Sequence, residues 1–233
     1  MILPINPLAK RMPRTTFLVW HDIVPGSKLV WFDTTIREFE AQLVRLERAG
    51  ARPQRLDTIA RWLTTGVGAP PERSVVLCFD DNTEGIFRYA YPILKKRGWP
   101  FVVSAHTAYV GVRTSKGHNT WQQLKTMEQG GAFIVSQTHT HPPDLRTLNA
   151  SQLPLEMIHS RQLMTTGLGH DVRHLTYPSG KWDARVAQAA QNAGYVLALT
   201  EDHGRAEGSP HLLGIRRYST HKRFDEAVQQ LKR

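Results

Sequence analysis

Short apolar runs alternate with amphipathic stretches along the whole chain. The runs TFLVW (16–20), VVLCF (75–79), FVVS (101–104), AFIV (132–135), HLTY (174–177), YVLAL (195–199) and LLGI (212–215) are four or five residues long. They are rich in β-branched and aromatic residues, which predicts strands. Between them the spacing turns helical. Residues 36–49 place Phe39, Leu43 and Leu46 on one face, offer Thr34 or Thr35 as a cap and stop at Gly50. Residues 85–97 stop at Gly98 with Lys95, Lys96 and Arg97 in the last turn, where cations suit the helix dipole. Further helices are predicted over 56–64, 121–128, 153–165, 184–193 and 225–231.

Alternation of this kind builds parallel strands joined by crossover helices. A single α/β domain accommodates 233 residues, so 1–233 reads as one domain. About seven parallel strands in one domain favour a distorted (β/α) barrel over an open sheet. Reactive groups in such folds stand where strands end. The polar residues there are His21-Asp22, Asp80-Asp81-Asn82, Gln137-Thr138-His139-Thr140-His141 and the turn Tyr177-Pro178-Ser179-Gly180.

Adjacent carboxylates resist joint ionisation. A cation relieves that cost for one of Asp80 and Asp81 and leaves the other as a base toward metal-bound water. The competing reading is that the pair caps the next helix. In SQTHTHPP, residues 137, 139 and 141 share a face if the chain stays extended. If the chain curls, 137 and 141 converge instead. Two histidines downstream of a carboxylate pair favour a metal site over hydrogen-bonded structural histidines. His21 suits a general acid, because its ordinary pKa lies near neutrality; the alternative is a simple pairing with Asp22. The turn at 177–180 has backbone N–H groups that suit an oxyanion.

Composition narrows the partners. The formal net charge is +10 at pH 7, spread without a basic block. It reads as a solvated surface, with an anionic neighbour such as an envelope polymer as the alternative. There is neither a helix-turn-helix signature nor zinc-finger spacing, so no nucleic-acid partner is expected. No apolar run approaches the ~18 residues of a membrane span. Cys78 is the one cysteine, which excludes an intrachain disulfide, and it reads as a core residue. The start MILPINPLAKRMPRTT has no continuous apolar stretch and does not read as a signal peptide.

Several motifs in order resemble the polysaccharide deacetylases of carbohydrate esterase family 4. SVVLCFDDNTEGIFRYAYPILKKRGWPFVVSAHTAYVG is similar to the family's apolar strand, Asp-Asp pair and following helix. SQTHTHPPDLRTL is similar to its Ser-His-Thr-x-x-His-Pro motif, and LTYPSGKWDARVAQAAQNAGYVLALT to its Tyr-Pro-x-Gly segment. FLVWHDIVPG resembles the N-terminal motif of the branch that includes poly-N-acetylglucosamine deacetylases. The match runs over about 16–217.

The resemblance implies a distorted (β/α) barrel that removes N- or O-acetyl groups from sugars with one divalent metal, zinc first and cobalt or nickel as alternatives. It implies an acetylated polysaccharide or oligosaccharide as partner and the cell envelope or the outside as compartment; the cytoplasm is the alternative without an export signal. By position, Asp80 matches the catalytic base, Asp81 the first metal ligand, His141 the last metal ligand and His21 the general acid. Ser179 lies in the turn that lends a backbone N–H to the oxyanion.

There are three departures. Gln137 stands where the family has its first metal His, Asn82 where it has Gly, and Thr176 where it often has Arg. Asn tolerates the left-handed backbone that Gly would supply. A Gln carbonyl is a neutral donor, weaker than imidazole for a transition metal. His139 replaces it only if the segment stays extended. The expected function is metal-dependent deacetylation of an acetylated sugar, foremost an N-acetylated amino sugar. The alternative is a metal-impaired pseudoenzyme or glycan-binding protein on the same fold. Trp182 and Tyr109 are candidates for stacking on sugar faces, with core packing as the alternative.

Overall fold

A computed structural model describes residues 2–232. In chain order it has α1 (Pro7–Arg11), β1 (Thr15–Trp20), β2 (Ile23–Val24), β3 (Thr34–Thr35), α2 (Ile36–Arg48), β4 (Arg52–Pro53), α3 (Leu56–Thr65) and β5 (Ser74–Phe79). A π-helical turn, Ile86–Ala90, runs into α4 (Tyr91–Arg97). Then come β6 (Phe101–Ala105), α5 (Trp121–Gln129), β7 (Ala132–Ser136), α6 (Gln152–Leu168), β8 (His174–Thr176), α7 (Ala184–Asn192), β9 (Leu197–Leu199), β10 (Tyr218–Ser219) and α8 (Thr220–Leu231).

The main sheet has the order β10-β1-β5-β6-β7-β8-β9, with β4 beside β5. Its pairings are parallel. β1 and β5 are buried along their whole length, as strands covered on both faces must be. Their side chains alternate between two cores. Leu18, Trp20, Leu77 and Phe79 join Phe39 of α2, Leu94 of α4 and Phe224 of α8 under the helical layer. Phe17, Val19, Val76 and Cys78 face the other way, toward Ile59, Trp62 and Leu63 of α3. Trp20 stacks on Phe79 at 5.6 Å and meets Phe39 edge-on at 5.6 Å.

The helix ends follow their caps. Thr35 and Glu38 form a reciprocal capping box on α2, and Gly98 ends α4 with a left-handed φ of 65°. The helix expected over 85–97 opens with a π turn instead. Pro92 explains it: the ring has no N–H to donate to residue 88 and crowds its carbonyl, so the ladder widens there. The short α1 was not expected; Asn6 caps it and Pro7 starts it.

One strand expectation is corrected. Residues 212–215 are not a strand; Leu212–Gly214 is a 3-10 turn. Its leucines are apolar because they enter different cores, Leu212 that of α3 and Leu213 that of α7. Ile215 makes a single parallel bridge to Leu199, and Tyr218 pairs with Leu18 of β1. The segment 215–219 therefore joins the two edges of the sheet, giving a distorted (β/α) barrel.

His174 meets Phe133 edge-on at 5.1 Å, and burial pushes its imidazole down to about 4. The unfolded chain, titrating near ~6.5, then binds more protons between the two values. Stability should fall as pH drops from about 6.5 to about 4, by up to ~1.4 kcal/mol per unit from this group, and level off below. Denaturant titrations of wild type and His174→Phe across that range should diverge on acidification.

Candidate active site

Strand alternation aims the polar residues. Val76 and Cys78 of β5 face the inner core, so Asp80 follows them inward. Val102 of β6 and Val135 of β7 face the same core, so Ser104, His106 and Gln137 share that side. Since β5, β6 and β7 are neighbours, their ends bring Asp80-Asp81, His106 and Gln137 together. The backbone bends sharply here. Of six non-glycine residues with positive φ among those described, five are Asp81, Asn82, Thr138, His141 and Ser179. Such backbone costs about 1–3 kcal/mol per residue and concentrates at functional sites. Asn82, at φ 51°, is held by reciprocal hydrogen bonds with Asn119.

Asp80 is 2% exposed. Arg217, fully buried, donates from its two terminal nitrogens to Asp80 Oδ1 at 2.9 Å and Oδ2 at 2.7 Å. Its Nε donates to the Thr200 carbonyl at 2.6 Å. The Ser104 hydroxyl donates to Asp80 Oδ1 at 2.9 Å and also meets Thr176 Oγ1 at 2.8 Å. Burial works against the Arg217 charge, but Asp80 beside it more than offsets this and raises its pKa. The pair is bidentate, the strongest form of such a contact.

Asp81 faces histidines. The stretch 137–141 curls, with φ 64° at Thr138 and 57° at His141, so Gln137 and His141 converge. Gln137 Nε2 lies 3.0 Å from Asp81 Oδ1, to which it donates, and 3.2 Å from His141 Nε2. Gln137 Oε1 accepts the Asp81 backbone N–H at 2.8 Å. His141 Nε2 is 3.4 Å from Asp81 Oδ1. Burial pushes the Asp81 carboxyl up, yet His141, with the charges of His21 and His106, holds it well below the usual carboxylate range. His139 points elsewhere, its Nδ1 at 2.9 Å from Thr107 Oγ1. Glu156 fixes the curl by accepting from the His139 and Thr140 backbone N–H groups.

His106 is the residue the sequence reading missed. It is 5% exposed, and burial followed by His141 pushes its imidazole down to about 4. One donor atom from each of Asp81, His106 and His141 lies within 4.8 Å of the others. A carboxylate with two imidazoles suits zinc, cobalt or nickel. His106 Nδ1 is buried without a hydrogen-bond partner, which also fits a residue meant for a cation.

His21 does not pair with Asp22. Asp22 Oδ1 accepts from Thr83 at 2.7 Å, and its Oδ2 lies 3.3 Å from Lys116 Nζ. His21 Nε2 is instead 3.7 Å from Glu201 Oε1. Donor atoms of His21, Asp80 and Glu201 also lie within 4.8 Å of one another. Arg217 already holds both Asp80 oxygens, so this second group is the poorer cation site. His21, Asp81, His106, Tyr109 and His141 line a cavity of about 360 Å³.

Ser179 stands exposed in the turn after β8, at φ 54°. It is outside the set lining that cavity. Trp182 is committed to packing: it stacks on Tyr177 at 6.2 Å and donates to Asp202 at 2.9 Å. A different aromatic group borders the cavity. Phe32 lies 4.9 Å from the His21 ring, and Trp31, 64% exposed, lies 5.3 Å from Phe32 and 4.7 Å from His221.

The family model for polysaccharide deacetylases matches residues 67–198. The chain belongs to the polysaccharide deacetylase family, and so to the hydrolases that deacetylate carbohydrates. YxkH of Bacillus subtilis (strain 168), whose name places it among polysaccharide deacetylases, is 28% identical over 200 residues, 86% of this chain and 69% of that one. The poly-beta-1,6-N-acetyl-D-glucosamine N-deacetylase of Staphylococcus aureus (strain N315) is 34% identical over 113 residues, 47% of this chain and 37% of its own length. Among solved structures, Streptococcus pyogenes deacetylase PplD in complex with acetate superposes with a TM-score of 0.82 at 24% identity, covering 95% of this chain and 100% of that one. IcaB from Ammonifex degensii gives 0.83 at 21% identity, covering 95% and 98%. At these identities the structures establish the shared fold.

Proposed function

We propose that this chain hydrolyses N-acetyl groups on an amino-sugar polysaccharide, of the poly-N-acetylglucosamine kind, with the help of one divalent metal, zinc first. The observation that carries this reading is the division of labour between two adjacent carboxylates. Asp80 is locked to a buried guanidinium, and Asp81 faces two imidazoles. That arrangement suits the first to serve as a base and the second as a ligand.

A metal at Asp81 and His141 would polarise the acetyl carbonyl and acidify a water. Asp80 takes the proton from the attacking water. Its Oδ2 accepts from Arg217 and keeps a second lone pair for this task. Arg217 and Ser104 fix the direction of that lone pair. For the developing oxyanion we propose a backbone N–H of the turn at Ser179, which lies outside the cavity lining but packs through Gly180 against Glu201, the neighbour of His21. His21, close to both Asp80 and Glu201, delivers a proton to the departing amine; the Glu201 carboxylate, 3.7 Å from His21 Nε2, orients the ring. Such a substrate is an envelope or extracellular polymer, so the cell envelope or the outside is the compartment proposed with it.

Stripping the protein with a chelator should abolish acetate release from an N-acetylated oligosaccharide, and zinc or cobalt should restore it. Asp81→Ala and His141→Ala should each lose metal content along with turnover. Acetate release that survives full chelation would sink the reading. Trp31, exposed beside Phe32, offers a flat face to a sugar ring. Trp31→Ala should raise KM for the polymer several-fold and leave kcat near wild type.

A second reading rests on Gln137. Its amide already bridges Asp81 and His141, much as a cation would, so the same geometry suits a metal-impaired glycan-binding protein. That reading requires glycan binding without metal and without acetate release.

A further inference from the structure

Resting on the metal-dependent reading above, we propose that His106 is the third metal ligand of this chain, in place of residue 137. Three side chains compete for that role. Gln137 has one metal-binding atom, Oε1, and it is turned to the Asp81 backbone N–H at 2.8 Å, while Nε2 is the atom presented to the Asp81 and His141 side chains. Turning the amide over would set its NH2 against that N–H, donor against donor, so the network fixes the orientation. The Nε2 that faces Asp81 and His141 has no lone pair to give. His139 is turned away onto Thr107.

His106 meets each requirement. It follows β6, the strand between the one that delivers Asp81 and the one that delivers Gln137. Alternation from Val102 aims it inward. Its ring lies 5.1 Å from that of His141. It is buried, and its Nδ1 lacks any hydrogen-bond partner. A buried imidazole with an orphaned nitrogen costs free energy unless something takes its lone pair or proton. Behind it, His118 packs edge-on at 5.1 Å while bonding through Nδ1 to the Val112 carbonyl at 3.1 Å. The ligand imidazole has thus moved one strand along the sheet, and Gln137 has become the residue that pins Asp81.

The test is a cobalt titration of the chelator-stripped full chain, read by calorimetry and by the visible absorption of bound cobalt. Wild type should take about one equivalent. His106→Ala should lose at least ~100-fold in affinity, while Gln137→Ala should change it less than tenfold. If His106→Ala folds poorly, His106→Cys gives a separate readout. A thiolate in the ligand set adds a thiolate-to-cobalt charge-transfer band in the near ultraviolet. Unchanged cobalt affinity in His106→Ala, or a His106→Cys protein that binds cobalt without the new band, overturns this assignment alone. A wild-type chain that binds no cobalt overturns both it and the metal-dependent reading.

Discussion

Arg217→Met should cost about 3–5 kcal/mol of unfolding free energy, the usual penalty for breaking a buried ion pair. Arg217 is fully buried and makes both of its side-chain contacts of consequence, to Asp80 and to the Thr200 carbonyl, from the segment that joins the sheet edges. Without it, the Asp80 carboxyl group is left in the interior with only Ser104 to hold it. The loss should appear as a lower denaturant midpoint with an unchanged slope. The double variant Asp80→Leu/Arg217→Met should recover most of that stability, since apolar replacement of a whole buried pair is often neutral. It should recover no activity. Those two outcomes together separate what the pair does for the fold from what Asp80 does in the reaction. An Arg217→Met protein as stable as wild type would mean that the pair is not closed in solution.

The second large effect is on turnover. Asp80→Asn should lower kcat by about 10²–10⁴, the usual contribution of a positioned general base. Metal binding should survive, because Asp81, His106 and His141 are untouched. The variant should also be somewhat less stable. The new amide sets an N–H2 against one Arg217 nitrogen, and an unmet buried donor costs about 1–3 kcal/mol. Turnover must therefore be compared below the unfolding range of the variant. A kcat within twofold of wild type would remove Asp80 from the role of base.

Much of this was legible in the chain. Parallel strands buried on both faces give apolar runs, so TFLVW and VVLCF announced β1 and β5 together with the polar residues at their ends. Asp80 and Asp81 stood out because adjacent carboxylates demand an explanation. LLGI misled because two leucines entering separate cores imitate a buried strand, whereas the two residues of β10 are too few to leave a pattern. His106 was missed because a lone His after FVVSA carries no motif; only the neighbouring order of β5, β6 and β7 shows what it faces. A signal for it existed: a chain with Gln at a ligand position invites a search for a compensating imidazole at the next strand end. Arg217 had a similar signal. Thr176 stands where an Arg was expected, and the Arg arrives from IRRYS, distant in sequence but adjacent across the barrel closure.

The central claim is that a metal-dependent N-deacetylase uses Asp80 as its base. Its most direct test is acetate released from a fully acetylated β-1,6-linked N-acetylglucosamine oligosaccharide, followed for wild type and Asp80→Asn with and without added zinc or cobalt. The account predicts release by metal-loaded wild type, none after chelation, and a loss of at least ~100-fold in metal-loaded Asp80→Asn. Equal release by the two proteins, or release indifferent to metal, would contradict it.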